Sequence, residues 1–223
     1  MPSPYVTRDL FRFFGELRRH NNREWFNENK DRYLAEVRDP ALALVASLAP
    51  GLNRISRHIS VDPRPSGGSM MRIYRDTRFS RDKTPYKTNV GIHFGLNAPR
   101  DFDAPGYYLH LEPGHVFMGA GVWHPGADAL RAIRAAIVKD PRGWKVAGRA
   151  GLSHHEATLK RPPRGVDPEH PLIDDLKRLS FTTGAEFTQQ QACAPDFATR
   201  YVASCRRAAP LMRFLARAMG LAF

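Results

Sequence analysis

The strand-like residues of this chain are gathered in its middle, between helical runs at both ends, and that order limits the fold more than any other feature. In Val90-Gly91-Ile92-His93-Phe94-Gly95-Leu96 apolar residues alternate with small or polar ones, the period of a half-buried strand. Tyr107, Leu109 and Leu111 alternate with Tyr108, His110 and Glu112, and Pro113-Gly114 then supplies a turn before His115 to Gly121. That stretch is expected to form an antiparallel hairpin. Strands and helices do not alternate singly, so a parallel βαβ arrangement is not expected. The fold class is therefore read as α+β: a mainly antiparallel sheet in the middle of the chain packed against N-terminal and C-terminal helices.

The flanks carry helical spacing. Leu10, Phe11, Phe13, Phe14 and Leu17 follow Thr7 as a cap, His20-Asn21-Asn22 breaks the pattern, and a second run carries Trp25, Phe26, Tyr33 and Val37. Asp39-Pro40 reads as a cap and first-turn proline that restarts or kinks this helix toward Leu48, and Pro50-Gly51 ends it. Beyond Trp123-His124-Pro125 a helix is expected over 125–138, with Leu130, Ile133 and Ile137 on one face and Asp140-Pro141 past its end. Short helices or turns follow, then an extended loop over 160–171 with four prolines. A last helix over about 195–219 buries Phe197, Tyr201, Cys205, Leu211, Leu215 and Met219, with Pro210 as its kink point.

At 223 residues and 42% hydrophobic content the chain suits one sizeable core, so residues 1–223 are read as a single α+β domain. No apolar run approaches the roughly 18 residues of a membrane span. The opening MPSPYVTRDLF has no signal pattern, which predicts a soluble, cytoplasmic protein without a membrane partner. Two cysteines, Cys193 and Cys205, are too few for a disulfide framework, and nothing near them has zinc spacing.

Residues 69–88, SMMRIYRDTRFSRDKTPYKT, set six cations (Arg72, Arg75, Arg78, Arg81, Lys83, Lys87) and two acids (Asp76, Asp82) around Tyr74, Phe79 and Tyr86. A strand to about Arg75 followed by an ordered loop is expected. Guanidinium forks suit phosphate and carboxylate, so Arg72, Arg75, Arg78, Lys83, Tyr86 and Lys87 are the candidate ligand-binding residues of a cationic, aromatic-edged cleft. The competing reading is a structural ion-pair network in which Asp76 and Asp82 neutralise the cations and pin the loop to the sheet.

The spacing of residues 72–87, together with Asn22-Arg23-Glu24-Trp25-Phe26, Gly106-Tyr107-Tyr108-Leu109-His110-Leu111-Glu112-Pro113-Gly114 and Gly119-Ala120-Gly121-Val122-Trp123-His124-Pro125, resembles the bacterial family called domain of unknown function 2461. These pieces cover most of the chain. The resemblance implies no established activity, so roles are read from the residues.

His93, Tyr108, His110 and Glu112 share a polar strand face, and neighbouring antiparallel strands are expected to bring His93 close to His110. With Tyr74 and Trp123, the residues His93, Tyr108 and Glu112 are the further cleft candidates. A His-x-Glu pair with a second histidine suits general acid–base work or a weak metal site. No helical His-Glu-x-x-His exists, and His115, His124 and His154-His155 are scattered, so no metal is expected.

Gly119-x-Gly121 ahead of a helix reads either as a glycine turn feeding a helix N-terminus or as small residues that let a strand end pass closely under Trp123. Neither a full dinucleotide fingerprint nor a P-loop is present, and no cofactor is expected. A Gly-x-Ser-x-Gly nucleophile elbow is also missing.

These residues point to a protein that binds a phosphate-bearing or carboxylate small molecule. As an enzyme it would be a hydrolase or transferase on phosphorylated or nucleotide-like substrates, with Asp76 or His110 as proton carrier. The formal charge of +12, from 34 Lys plus Arg against 22 Asp plus Glu, keeps a non-enzymatic nucleic-acid binder as an alternative. Without a reading motif such binding would be weak and salt-sensitive. A partner-binding module with a structural arginine-rich segment is the third reading.

Overall fold

The computed structural model of the chain describes residues 5–97, 103–152 and 158–223. Among them, four strands, β1 (Val90–Gly95), β2 (Gly106–Glu112), β3 (His115–Val122) and β4 (Phe181–Phe187), make one antiparallel sheet in the order β1-β2-β3-β4. Helices α1 (Arg8–Arg19), α2 (Arg23–Glu28), α3 (Lys30–Arg32) and α4 (Asp39–Asn53) precede the sheet. Helices α5 (Ala127–Lys139), α6 (Pro141–Ala147) and α7 (Ile173–Leu176) lie between β3 and β4, and α8 (Gln189–Ala192) and α9 (Phe197–Ala218) follow. This is the expected α+β class.

Period-two alternation gives the sheet its two faces. Ile92 and Phe94, Tyr107, Leu109 and Leu111, and Val116 and Met118 point inward and are buried with Leu10, Phe13, Phe14 and Leu17 of α1, Leu44, Leu48 and Leu52 of α4, and Tyr201, Cys205 and Met212 of α9. Each full burial of such a side chain contributes about 1.5–3 kcal/mol. A second core gathers where β3 ends and β4 begins. There Val122 and Phe181 meet Ile133, Ile137, Leu176 and the α9 residues Leu211, Phe214 and Leu215 around Trp144, whose indole N–H donates to Asp175 Oδ2 at 2.8 Å. Helix α9 runs through Pro210 and serves both cores.

The irregularity expected at Asp39-Pro40 takes a specific form. A π-helical turn, Tyr33–Arg38, joins α3 to α4, and the Asp39 N–H reaches back to the Leu34 carbonyl. Pro40 has no N–H to give the preceding turn, and the wider register absorbs the mismatch without ending the helix.

Other segments differ from expectation. No strand spans 71–75; isolated bridges join Met70 to Ile92 and Tyr74 to Tyr86. Met71 N–H donates to Gly91, Arg75 N–H to Pro85 and Lys87 N–H to Ile73, but Pro85 has no donor to extend the ladder. Residues 73–87 therefore form a loosely paired hairpin. Gly119 and Gly121 lie in the β3 ladder, not in a turn. The helix expected over 125–138 starts later, at Ala127, and Asp140 restarts the chain as α6 by accepting from the Gly143 N–H at 2.8 Å. Strand β4 was not expected, because Phe181–Phe187 carries a central glycine and polar residues. It forms by pairing with β3. His154 and His155 lie outside the described residues. Among those described, no helix is long and apolar enough to cross a membrane.

Candidate functional site

The helices cover one face of the sheet. On the opposite face the register aligns Gly95, Gly106, Gly121 and Thr182 in one row, His93, Tyr108, Gly119 and Gly184 in the next, and Gly91, His110, Phe117 and Glu186 in a third. Glycines bare the centre of this face, and a cavity of about 890 Å³ lies over them. Gly106, Gly119, Gly121 and Gly184 line its floor, while Met71, Phe117 and Trp123 give apolar walls. Trp123 keeps 67% of its surface exposed. Asp103 sits on the rim and accepts from the Gly126 N–H just ahead of α5.

His93 stands over Gly106, where a Cβ would overlap its Nε2 atom, so any larger residue there would push the ring aside. The ring retains exposed surface, yet the surrounding walls remove enough water to push its pKa below the usual imidazole value.

Beside the cavity runs a chain of polar contacts. The Tyr108 hydroxyl lies 3.2 Å from His110 Nδ1, and His110 Nε2 lies 3.1 Å from Glu112 Oε2. Asn89 Nδ2 approaches the same Nδ1 at 3.4 Å. Glu112 Oε1 accepts from Arg18, at the end of α1, at 2.7 Å and from the Thr88 hydroxyl at 3.2 Å. The partners assign the neutral tautomer: Nε2–H donates to the carboxylate, and Nδ1 accepts from the Tyr108 hydroxyl. Phe117 stacks on the His110 ring, their centroids 4.9 Å apart.

Burial pulls the His110 pKa down against the opposing pull of Glu112. Burial also raises the Tyr108 pKa, and the Glu112 charge adds to that rise. For Glu112 burial acts upward, but hydrogen bonds from His110 and Thr88, with the Arg18 charge, outweigh it and hold the carboxyl below its usual range. At neutral pH the chain is Tyr–OH, neutral imidazole, carboxylate.

One turn away, His115 faces Glu112 across the hairpin. Among the described residues, His110, Glu112 and His115 form a group in which each offers one atom of metal-ligand type, all within 4.8 Å of one another.

The arginine-rich hairpin is arranged differently. Arg75 pairs with Asp82 and Thr84, Arg78 pairs with Asp76 at 2.7 Å, Lys83 Nζ donates to the Thr77 carbonyl and Lys87 Nζ to the Arg72 carbonyl. These four cations thus take local acceptors within the hairpin. Of residues 69–88, only Met71 lines the cavity. Tyr74 stays outside it, and Tyr86 is buried, stacked on Phe26 at 4.1 Å, with Asn21 bonded to both its backbone N–H and carbonyl.

Of the residues singled out from sequence, His93, Tyr108 and Trp123 line the cavity, and His110 and Glu112 join it through Tyr108. The register sets Tyr108 opposite His93, with His110 opposite Gly91. His115, Gly106, Gly184 and β4 were missed, whereas Gly119 and Gly121, singled out as small residues at a strand end, lie in β3 on the cavity floor. The Pro113-Gly114 turn was the available signal for His115, since a two-residue hairpin loop places its flanking residues face to face.

A family model described as Conserved hypothetical protein (DUF2461) matches residues 9–214. No curated protein and no solved structure matches the chain.

Proposed function

We propose, for a chain that belongs to the conserved hypothetical family DUF2461, an acid–base enzyme that seats a small organic substrate on the glycine floor of the sheet. The observation that carries this reading is the unbroken chain Tyr108–His110–Glu112, with Tyr108 in the cavity wall and Glu112 anchored by Arg18 and Thr88. A substrate proton passes to the Tyr108 oxygen while the tyrosine proton moves to His110 Nδ1. The resulting imidazolium keeps its Nε2–H on the Glu112 carboxylate. Run in reverse, the same path delivers a proton to the product. Because burial disfavours both a free phenolate and a free imidazolium, transfer is concerted, and His110 is the net acid and base.

Cavity chemistry narrows the substrate. The floor and the Met71, Phe117 and Trp123 walls fit a flat apolar body, and no lysine or arginine of the described residues lines them. Asp103 and Glu186 on the rim favour a neutral or cationic substrate. A second reading, a phosphate or carboxylate on the hairpin, is favoured by one observation: Lys87 Nζ sits on the Arg72 carbonyl, and burial together with the Arg72 charge lowers the Lys87 pKa. An anion bridging the two side chains would relieve that repulsion.

The test is a thermal-shift and Trp123-fluorescence screen against small carbonyl compounds, amines, aromatic heterocycles, phosphates and nucleotides. Compounds bound in the cavity are expected to lose their effect in Gly119→Val and to keep it in Arg72→Ala and Lys87→Ala. In Tyr108→Phe they still bind but are no longer turned over. Hits that survive Gly119→Val and vanish in the cation variants would transfer the site to the hairpin.

A further inference from the structure

We infer that His110, Glu112 and His115 are a binding site for a first-row divalent metal ion of the zinc class, open toward the cavity. Outer contacts aim two of the three ligand atoms at one point. Arg18 and Thr88 occupy Glu112 Oε1 and leave Oε2 free to turn inward. Tyr108 occupies His110 Nδ1 and leaves Nε2. These are the hydrogen bonds that orient the ligands of a metal centre from behind. The atoms left over, Nε2 and Oε2, lie 3.1 Å apart, close to the separation of about 3.3 Å that two ligands take at bonds of about 2.0–2.1 Å on a tetrahedral ion.

The third ligand arrives through the hairpin. His115 opposes Glu112 in the register, its ring centroid is 5.3 Å from that of His110, and both rings pack on Phe117. All three ligand atoms fall within 4.8 Å, and the exposed His115 side chain has room to close the remaining distance. Two imidazoles and one carboxylate suit zinc, iron, nickel or copper and do not suit magnesium or calcium, which take oxygen ligands. Three protein ligands leave a coordination position for water or substrate. Here it faces the cavity, because His115 and Phe117 both line it.

The metal does not require the proton path proposed above. It takes the place of the proton on His110 Nε2, the ring proton moves to Nδ1, and the Tyr108 oxygen then accepts from Nδ1–H. Metal and proton path are alternative occupants of the same residues, and His115 belongs to the metal alone.

The experiment titrates the full chain, stripped by a chelator, with Co²⁺ followed by visible absorption and with Zn²⁺ by competition. Saturable binding of one ion per chain, with the absorption bands of a four- or five-coordinate ion, is expected. His115→Ala should weaken it by more than about tenfold while leaving the melting temperature of the metal-free protein unchanged. Glu112→Gln should abolish it; should that variant not fold, His115→Ala decides. No saturable binding, or an affinity unchanged by His115→Ala, overturns the inference. Cavity ligands that still bind and still need Tyr108 in that event leave the acid–base reading standing.

Discussion

Glycine weakens a strand, so the bare floor of the cavity should cost the protein stability wherever the backbone does not require it. Gly119 and Gly121, two residues apart in β3, separate these cases. At Gly119 an added Cβ would meet its nearest neighbours, Phe117 Cε2 and Tyr108 Cβ, at 3.8 Å, an ordinary contact. Gly119→Val should therefore fold normally and gain about 0.5–1 kcal/mol from reduced unfolded-state entropy and better strand propensity. At Gly121 the backbone has φ +131, and a Cβ would collide with the Phe181 carbonyl of β4. Gly121→Val should lose about 1–3 kcal/mol from backbone strain alone.

For a chain of this size each kcal/mol moves the melting temperature by about 2–4 °C, so the expected changes are a rise of about 1–4 °C and a fall of about 2–12 °C. Urea unfolding followed by circular dichroism and thermal melts at pH 8 both read the difference. The Gly119→Val gain should come with loss of small-molecule binding, since the new methyl groups stand in the cavity. If Gly119→Val destabilises the protein as much as Gly121→Val, the floor glycines are there for the fold and the bare floor says nothing about a ligand.

Stability should also depend on pH through His93 and His110, whose pKa values are both pushed below the usual 6.5. The unfolded chain takes up these protons first, so the contribution is fully present above pH 6.5 and is lost as pH falls through the folded-state values. A His93→Gln, His110→Asn double variant should flatten the melting temperature between pH 7 and pH 5; an unchanged slope would refute that origin. Tyr107→Phe should stabilise the protein by about 1 kcal/mol, because the buried Tyr107 hydroxyl has no hydrogen-bond partner among the described residues. Chemical denaturation would show a loss instead if that hydroxyl is bonded. Arg78→Ala and Asp76→Ala should both melt close to wild type, since their ion pair is exposed, with side-chain exposures of 77% and 50%. Unfolding of either would make the pair a structural lock.

The α+β class, the hairpin at Pro113-Gly114 and the polar face of His93, Tyr108, His110 and Glu112 were legible in the sequence, because side-chain period and turn chemistry are properties of neighbouring residues. Alternation says which residues share a face, and it did so correctly for all four. It does not say which strands become neighbours or which face the helices leave open. Pairing with β3 made a strand of Phe181–Phe187 despite its weak local pattern, and completed the cavity floor. Register, set by the hairpin and the packing of both cores, put Tyr108 opposite His93 and His115 opposite Glu112.

The charges of residues 72–87 were equally visible, but their partners were not. Whether Arg78 meets Asp76 or a ligand turns on contacts of a few ångströms that only the folded hairpin decides, because a hydrogen bond is lost over distances shorter than one residue. Local chemistry named the groups that can act, and the long-range packing chose which of them meet.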